Sequence, residues 1–109
     1  MHNLAEIRAD LTARLARLAA QVERIEGEQR TPLDDDFGEQ ATEREGREIL
    51  DAEERAAAEE MQAIRHALAR LDAGRYGLCT SCGIPIDAAR LEAMPTAAHC
   101  IECEREFGD

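Results

Sequence analysis

Four cysteines constrain this chain more than anything else in it. Cys79 and Cys82 form one pair with two residues between them, and Cys100 and Cys103 form a second. Seventeen residues separate the pairs. This spacing matches the two-pair template of a zinc site, in which each short spacer lets two sulfurs reach one ion from a tight knuckle. Gly83 follows the first pair, where a positive φ helps the chain turn under the sulfur. Four soft thiolates favour Zn²⁺ and fill its tetrahedral shell, which makes the site structural rather than catalytic. The segment around them holds too little apolar material to fold unaided, so metal binding supplies the missing free energy. The competing uses of four cysteines are a redox dithiol pair, an iron–sulfur cluster or disulfides. A redox Cys-x-x-Cys normally sits on a thioredoxin-like βαβ pattern, and none is present.

The rest of the chain reads as helix. Of 109 residues, 3% are aromatic and 34% charged, and the apolar fraction is mostly Ala and Leu. Such a composition suits long helices or a coiled coil better than a globular core. Leu4, Ile7, Leu11, Leu15, Leu18, Val22 and Ile25 recur at spacings of three and four, predicting a first helix from residue 3 to about 28. Asn3 is a candidate N-cap, with Glu6 completing a capping box. Leu50, Ala57, Met61, Ile64, Leu68 and Leu71 form a second seam on a helix from about 39 to 73, with Gly74 as its C-terminal cap. Gly27 and Gly46 are local weak points. Between the helices, Pro32, Gly38 and the run Asp34-Asp35-Asp36 read as an acidic turn.

Two apolar seams joined by a turn bury each other. The expected fold is therefore mainly α: an antiparallel two-helix coiled-coil arm over residues 1–74, with an acidic tip at about 31–41, followed by a small C-terminal four-cysteine zinc finger over 75–109. The chain is expected to be a monomer, although the same seams can pair between two chains. Within the finger, Ile84, Ile86, Leu91 and Met94 are the candidate miniature core, and residues 87–93 read as a short helix ended before Pro95. His99 adjoins Cys100 and is read as an exposed bystander to a complete four-sulfur site.

Charge narrows the partners. The formal net charge is −11, and four thiolates around one Zn²⁺ take it to about −13. Phosphate backbones repel such a chain, which argues against direct sequence-specific DNA binding. Residues 1–20 carry Glu6, Asp10 and three arginines without an apolar run, so neither an export signal nor a membrane span is expected. The expected location is cytoplasmic. His2, His66 and His99 form no nucleophile–base arrangement, so no enzyme activity is expected.

The run from Tyr76 to Cys103 resembles the DksA/TraR family of bacterial transcription factors. The matching pieces are Tyr76-Gly77, Cys79-x-x-Cys82-Gly83, Ile86, Arg90-Leu91-Glu92-Ala93, Pro95-Thr96-Ala97 and Cys100-Ile101-x-Cys103, after a helical hairpin in the family's order. The resemblance implies a regulator that binds RNA polymerase, inserts its arm into the secondary channel and alters promoter complexes with an acidic tip. The family's tip pattern, Asp-x-x-Asp-x-Ala, falls on Asp36, Glu39 and Ala41, so the second carboxylate sits one methylene farther out. Longer members have Arg where Met94 stands, and basic residues where this chain has Ala56, Glu59 and Ala63. That departure implies a weak or absent response to the anionic alarmone ppGpp. The alternative reading is a coiled-coil zinc-finger adaptor for another protein partner.

Overall fold

The computed structural model describes residues 3–29 and 37–107, with side chains except at 28–45, 47 and 107. Four helices follow in order: α1 (Leu4–Gln29), α2 (Phe37–Asp72), α3 (Ala88–Ala93) and α4 (Ile101–Phe107). A single antiparallel bridge between Leu78 and Pro85 is the extent of β pairing among the described residues. The chain divides into two compact units, residues 14–62 and residues 1–13 with 63–109.

α1 begins where its cap predicts. The Asn3 Oδ1 accepts the Glu6 N–H at 2.8 Å, and the Asn3 carbonyl accepts the Ile7 N–H at 3.1 Å. α1 runs through Gly27 and α2 through Gly46 without interruption. A single glycine costs a helix about 1 kcal/mol, less than the roughly 1.5–3 kcal/mol gained by burying one large apolar side chain.

Within residues 14–62, α1 and α2 run antiparallel. Arg14 is ion-paired with Glu60, and farther along α1 Glu26 shares a side-chain hydrogen bond with Glu54. Ile25 and Ala57 are the buried positions among the described residues here. The other unit repeats the arrangement with the start of α1 and the end of α2. Arg8 Nη2 lies 2.7 Å from Asp72 Oδ1, and Leu11, Ile64, Ala67 and Leu71 are buried. Leu4 departs from the expected seam and is 59% exposed. Since Arg8 already pairs with Asp72, the last residue of α2, Leu4 lies one turn past the end of its partner helix.

α2 ends in a Schellman turn. Gly74 adopts φ 71°, its N–H reaches the Leu71 carbonyl at 3.2 Å, and the Arg75 N–H reaches the Arg70 carbonyl at 2.8 Å. These bonds satisfy carbonyls that a helix end leaves unpaired and turn the chain into the cysteine-bearing segment.

Candidate metal centre

Each cysteine pair is positioned by local backbone geometry. In the first, the Cys79 N–H donates to the Ile84 carbonyl at 2.8 Å and the Gly83 N–H donates back to the Cys79 carbonyl at 2.9 Å. Closing this knuckle requires φ 79° at Gly83, the left-handed conformation its sequence position predicts. In the second, Cys100 immediately precedes α4 and its carbonyl accepts the Glu104 N–H at 2.9 Å. Cys103 then lies three residues on, which puts both sulfurs on one helix face. The Thr80 N–H donates to the Ala98 carbonyl at 2.8 Å and ties the first knuckle to the approach of the second.

The four sulfurs of Cys79, Cys82, Cys100 and Cys103 all lie within 4.8 Å of one another. Cys82 Sγ and Cys100 Sγ are 3.7 Å apart. The edge of a tetrahedron with Zn–S bonds of 2.3 Å is about 3.8 Å, whereas a disulfide needs about 2.05 Å. All four cysteines are free, three of them buried and Cys82 exposed. The donor set therefore fits a tetrahedral soft metal and no disulfide pairing. His99 is outside the cluster; its Nδ1 faces Glu104 Oε2 at 3.4 Å.

Electrostatics point the same way. Burial pushes the Cys79 thiol up, but hydrogen bonding from the backbone of Cys100, Cys82 and Ser81 outweighs it and brings it down to about 5. At Cys82 the backbone of Ile84 acts to lower the thiol, but desolvation and the Cys79 and Cys100 sulfurs carry it upward. Cys103 is held up by its hydrogen bond with Cys100 and by burial. Cys79 is thus pushed opposite to Cys82 and Cys103, and metal ligation, which requires thiolates, displaces the protons of such a cluster.

Cys79, Cys100 and Cys103 form the finger's core with Ile86, and Leu91 packs against them. Two residues expected in that core are not there: Ile84 is 49% and Met94 51% exposed. The sulfurs occupy the interior of so small a unit, and Ala97 is buried as well.

Residue type and spacing gave no sign of the polar ties around this core. The Arg70 Nη2 reaches toward the carbonyls of Thr96 and Ala97, at 3.4 and 3.5 Å. The Tyr76 hydroxyl donates to the Pro95 carbonyl at 2.8 Å, and Arg90 Nε donates to the His99 carbonyl at 3.1 Å. All three hold backbone carbonyls of the 95–99 stretch that leads into Cys100. Of the expected tip residues, Asp36 lies outside the described residues, and so do the side chains of Glu39 and Ala41 in the first turns of α2.

Two family models match in succession. Residues 7–71 match the DnaK suppressor protein-like N-terminal domain, and residues 74–107 match the prokaryotic dksA/traR C4-type zinc finger. The chain belongs to the DksA/TraR family. An uncharacterized protein of Aquifex aeolicus is 33% identical over 96% of this chain and 74% of its own length. The RNA polymerase-binding transcription factor DksA of Haemophilus influenzae is 46% identical over 40% of this chain, and that match spans only 30% of DksA. For DksA of Escherichia coli the figures are 44%, 38% and 27%. The transcription factor DksA2 of Pseudomonas aeruginosa superposes with a TM-score of 0.81 at 31% identity, covering 94% of this chain and 81% of DksA2. As a DksA/TraR finger whose four sulfurs meet at metal-binding distance, the C-terminal segment carries one structural zinc. The zinc supplies a cross-link between the two knuckles. No helix among the described residues is long and apolar enough to cross a membrane.

Proposed function

We propose that this chain is a transcriptional regulator that binds RNA polymerase through its secondary channel. Residues 1–74 act as the arm and 75–109 as the zinc finger that steadies its base, with Cys79, Cys82, Cys100 and Cys103 as the ligands. The observation that carries this reading is the likeness to DksA2 along nearly the whole chain, helices and finger together. Relatives named as RNA polymerase-binding factors are 46% and 44% identical to it over 40% and 38% of the chain. The net charge of −11 supports a protein partner over direct DNA binding.

In this reading the tip acts and the finger holds. Asp36 and Glu39 bring carboxylates, and Ala41 a small surface, to the polymerase active centre, where they alter the stability of promoter complexes. Glu39 extends one methylene beyond the family's Asp, and a geometrically demanding contact is weakened by such a change. The chain works as a cytoplasmic monomer without enzymatic activity of its own. Its ppGpp response is weak or absent, because Ala56, Glu59, Ala63 and Met94 offer no positive charge to an anionic ligand.

Gel filtration of the zinc-loaded chain with core RNA polymerase tests the partner. Co-elution is the expected result; separate elution at micromolar concentrations of both refutes it. In vitro transcription with and without ppGpp tests the last point, and strong synergy with the alarmone contradicts it.

A further inference from the structure

Leu4, one turn past the end of its partner helix, is 59% exposed. With Ile7 it forms one wall of a cavity of about 210 Å³ between the first turns of α1 and the finger. Tyr76, just past the Schellman turn, lines it from a second segment, and Leu91 of α3 with Pro95 from a third. All of these residues belong to one compact unit. Three segments far apart in sequence thus converge on one space whose walls are mainly apolar, which is the usual make-up of a small-molecule site.

Charge selects the occupant. Two exposed carboxylates, Asp10 and Glu92, line the same cavity, and no cation does so among the described residues. The arginines near them in sequence are engaged elsewhere: Arg8 with Asp72, Arg14 with Glu60, and Arg90 with the His99 carbonyl and Glu104. The Tyr76 hydroxyl is likewise committed to the Pro95 carbonyl, which leaves its ring as the surface it offers. An aromatic ring beside carboxylates attracts positive charge, the ring through its quadrupole and the carboxylates directly. Anions are repelled, and a neutral apolar molecule gains burial alone.

We infer that this cavity binds a small organic amine, with its apolar body among Leu4, Ile7 and Leu91 and its ammonium group at Asp10 and Glu92. An apolar cavity of about 150 Å³ holds benzene, so one of about 210 Å³ takes a ring with a short aminoalkyl arm. A ligand of that size binds in roughly the millimolar range. The site depends neither on the polymerase reading nor on the tip.

The test uses the full zinc-loaded chain with phenethylamine as the probe. Phenethyl alcohol keeps the body without the charge, ethylamine keeps the charge with little body, and hydrocinnamate reverses the sign. Methyl NMR follows Leu4, Ile7 and Leu91. Phenethylamine is expected to shift these methyls selectively and saturably, with the alcohol about fivefold weaker and the other two compounds without selective effect. The preference for the amine should fade as salt screens the carboxylates. Asp10→Asn with Glu92→Gln should bring amine and alcohol to the same affinity. Ala88→Phe, on the α3 side of the cavity, should fill it and abolish binding of both. Zinc content verifies folding, and Leu4→Ser, at an exposed position, serves as the wall variant if Ala88→Phe loses metal. The inference is overturned if the alcohol or ethylamine binds as well as phenethylamine, if the double variant keeps the preference for the amine, or if the shifts fail to saturate or map elsewhere. It is also overturned if the same methyls shift when the chain alone is concentrated, since a second copy then fills the cavity.

Discussion

The Sγ atoms of Cys82 and Cys100 lie 3.7 Å apart, although seventeen residues separate them in the chain. A contact of that length is a tetrahedral edge, and it fixes how the two halves of the finger meet. Substituting either residue with serine is expected to lower bound zinc from one per chain toward none. A chelator should have the same effect on the wild-type protein. Hydrogen exchange after chelation should lose protection over 75–107 while the amides of α1 and α2 within residues 14–62 stay protected, because none of the four cysteines lies in that unit.

Tyr76 reports on the finger's seating. It is the one tyrosine in a chain without tryptophan, so its phenol absorbance can be followed alone. Burial pushes its pKa above the ordinary value, against a smaller opposing pull from Arg70. The neutral phenol is thus favoured in the folded state. Its contribution is complete below the unfolded value, about 10, and is lost as pH rises through the higher folded value. Ultraviolet titration should show a midpoint above that of the denatured chain. Tyr76→Phe removes the bond to the Pro95 carbonyl and should cost about 1 kcal/mol in denaturant unfolding.

Protonation of Glu54 should favour the folded state of residues 14–62. Desolvation raises its carboxyl first, followed by the hydrogen bond and charge of Glu26 and by the charge of Asp51. A raised carboxyl pKa means that the folded state holds the proton more tightly than the unfolded state. The penalty is present at neutral pH and is relieved as pH falls through the folded value toward the unfolded one. Thermal melts of the wild type from pH 7 to 5 should rise relative to those of Glu54→Gln, which lacks the titrating group. Parallel curves would contradict this.

Glycines divide into two classes by backbone geometry. Gly74 needs φ 71°, so Gly74→Ala should destabilise the protein by about 1 kcal/mol. A Cβ at Gly27 or Gly46 meets nothing within 4 Å. Both sit inside helices, and Ala at either should stabilise by roughly 0.5–1 kcal/mol. Chemical denaturation of the three variants checks the opposite signs.

What could be read from sequence was local or periodic. The cysteine knuckles, the Asn3 cap, the Gly74 turn and the two seams each depend on residues a few positions apart. The seams located Leu11, Ile25, Ala57, Ile64 and Leu71 correctly, because a three-to-four spacing fixes a helix face. They missed Ala67, wholly buried in the same unit as Ile64, since alanine is common on exposed helix faces too and its type does not mark a buried one. Ile84 and Met94 were misjudged for the opposite reason: hydrophobicity suggested core, while the sulfurs had already taken the space. The ties from Arg70, Tyr76 and Arg90 join residues nine to twenty-seven apart, a separation that no local pattern encodes.

The proposed activity rests on the carboxylates of Asp36 and Glu39. The most direct measurement is the lifetime of promoter complexes formed by RNA polymerase, with the wild-type chain and with Asp36→Asn plus Glu39→Gln, each at a concentration shown to saturate the enzyme. The wild type is expected to change the lifetime, and the double variant to bind equally well yet leave it as with polymerase alone. A double variant that changes the lifetime as much as the wild type would contradict it.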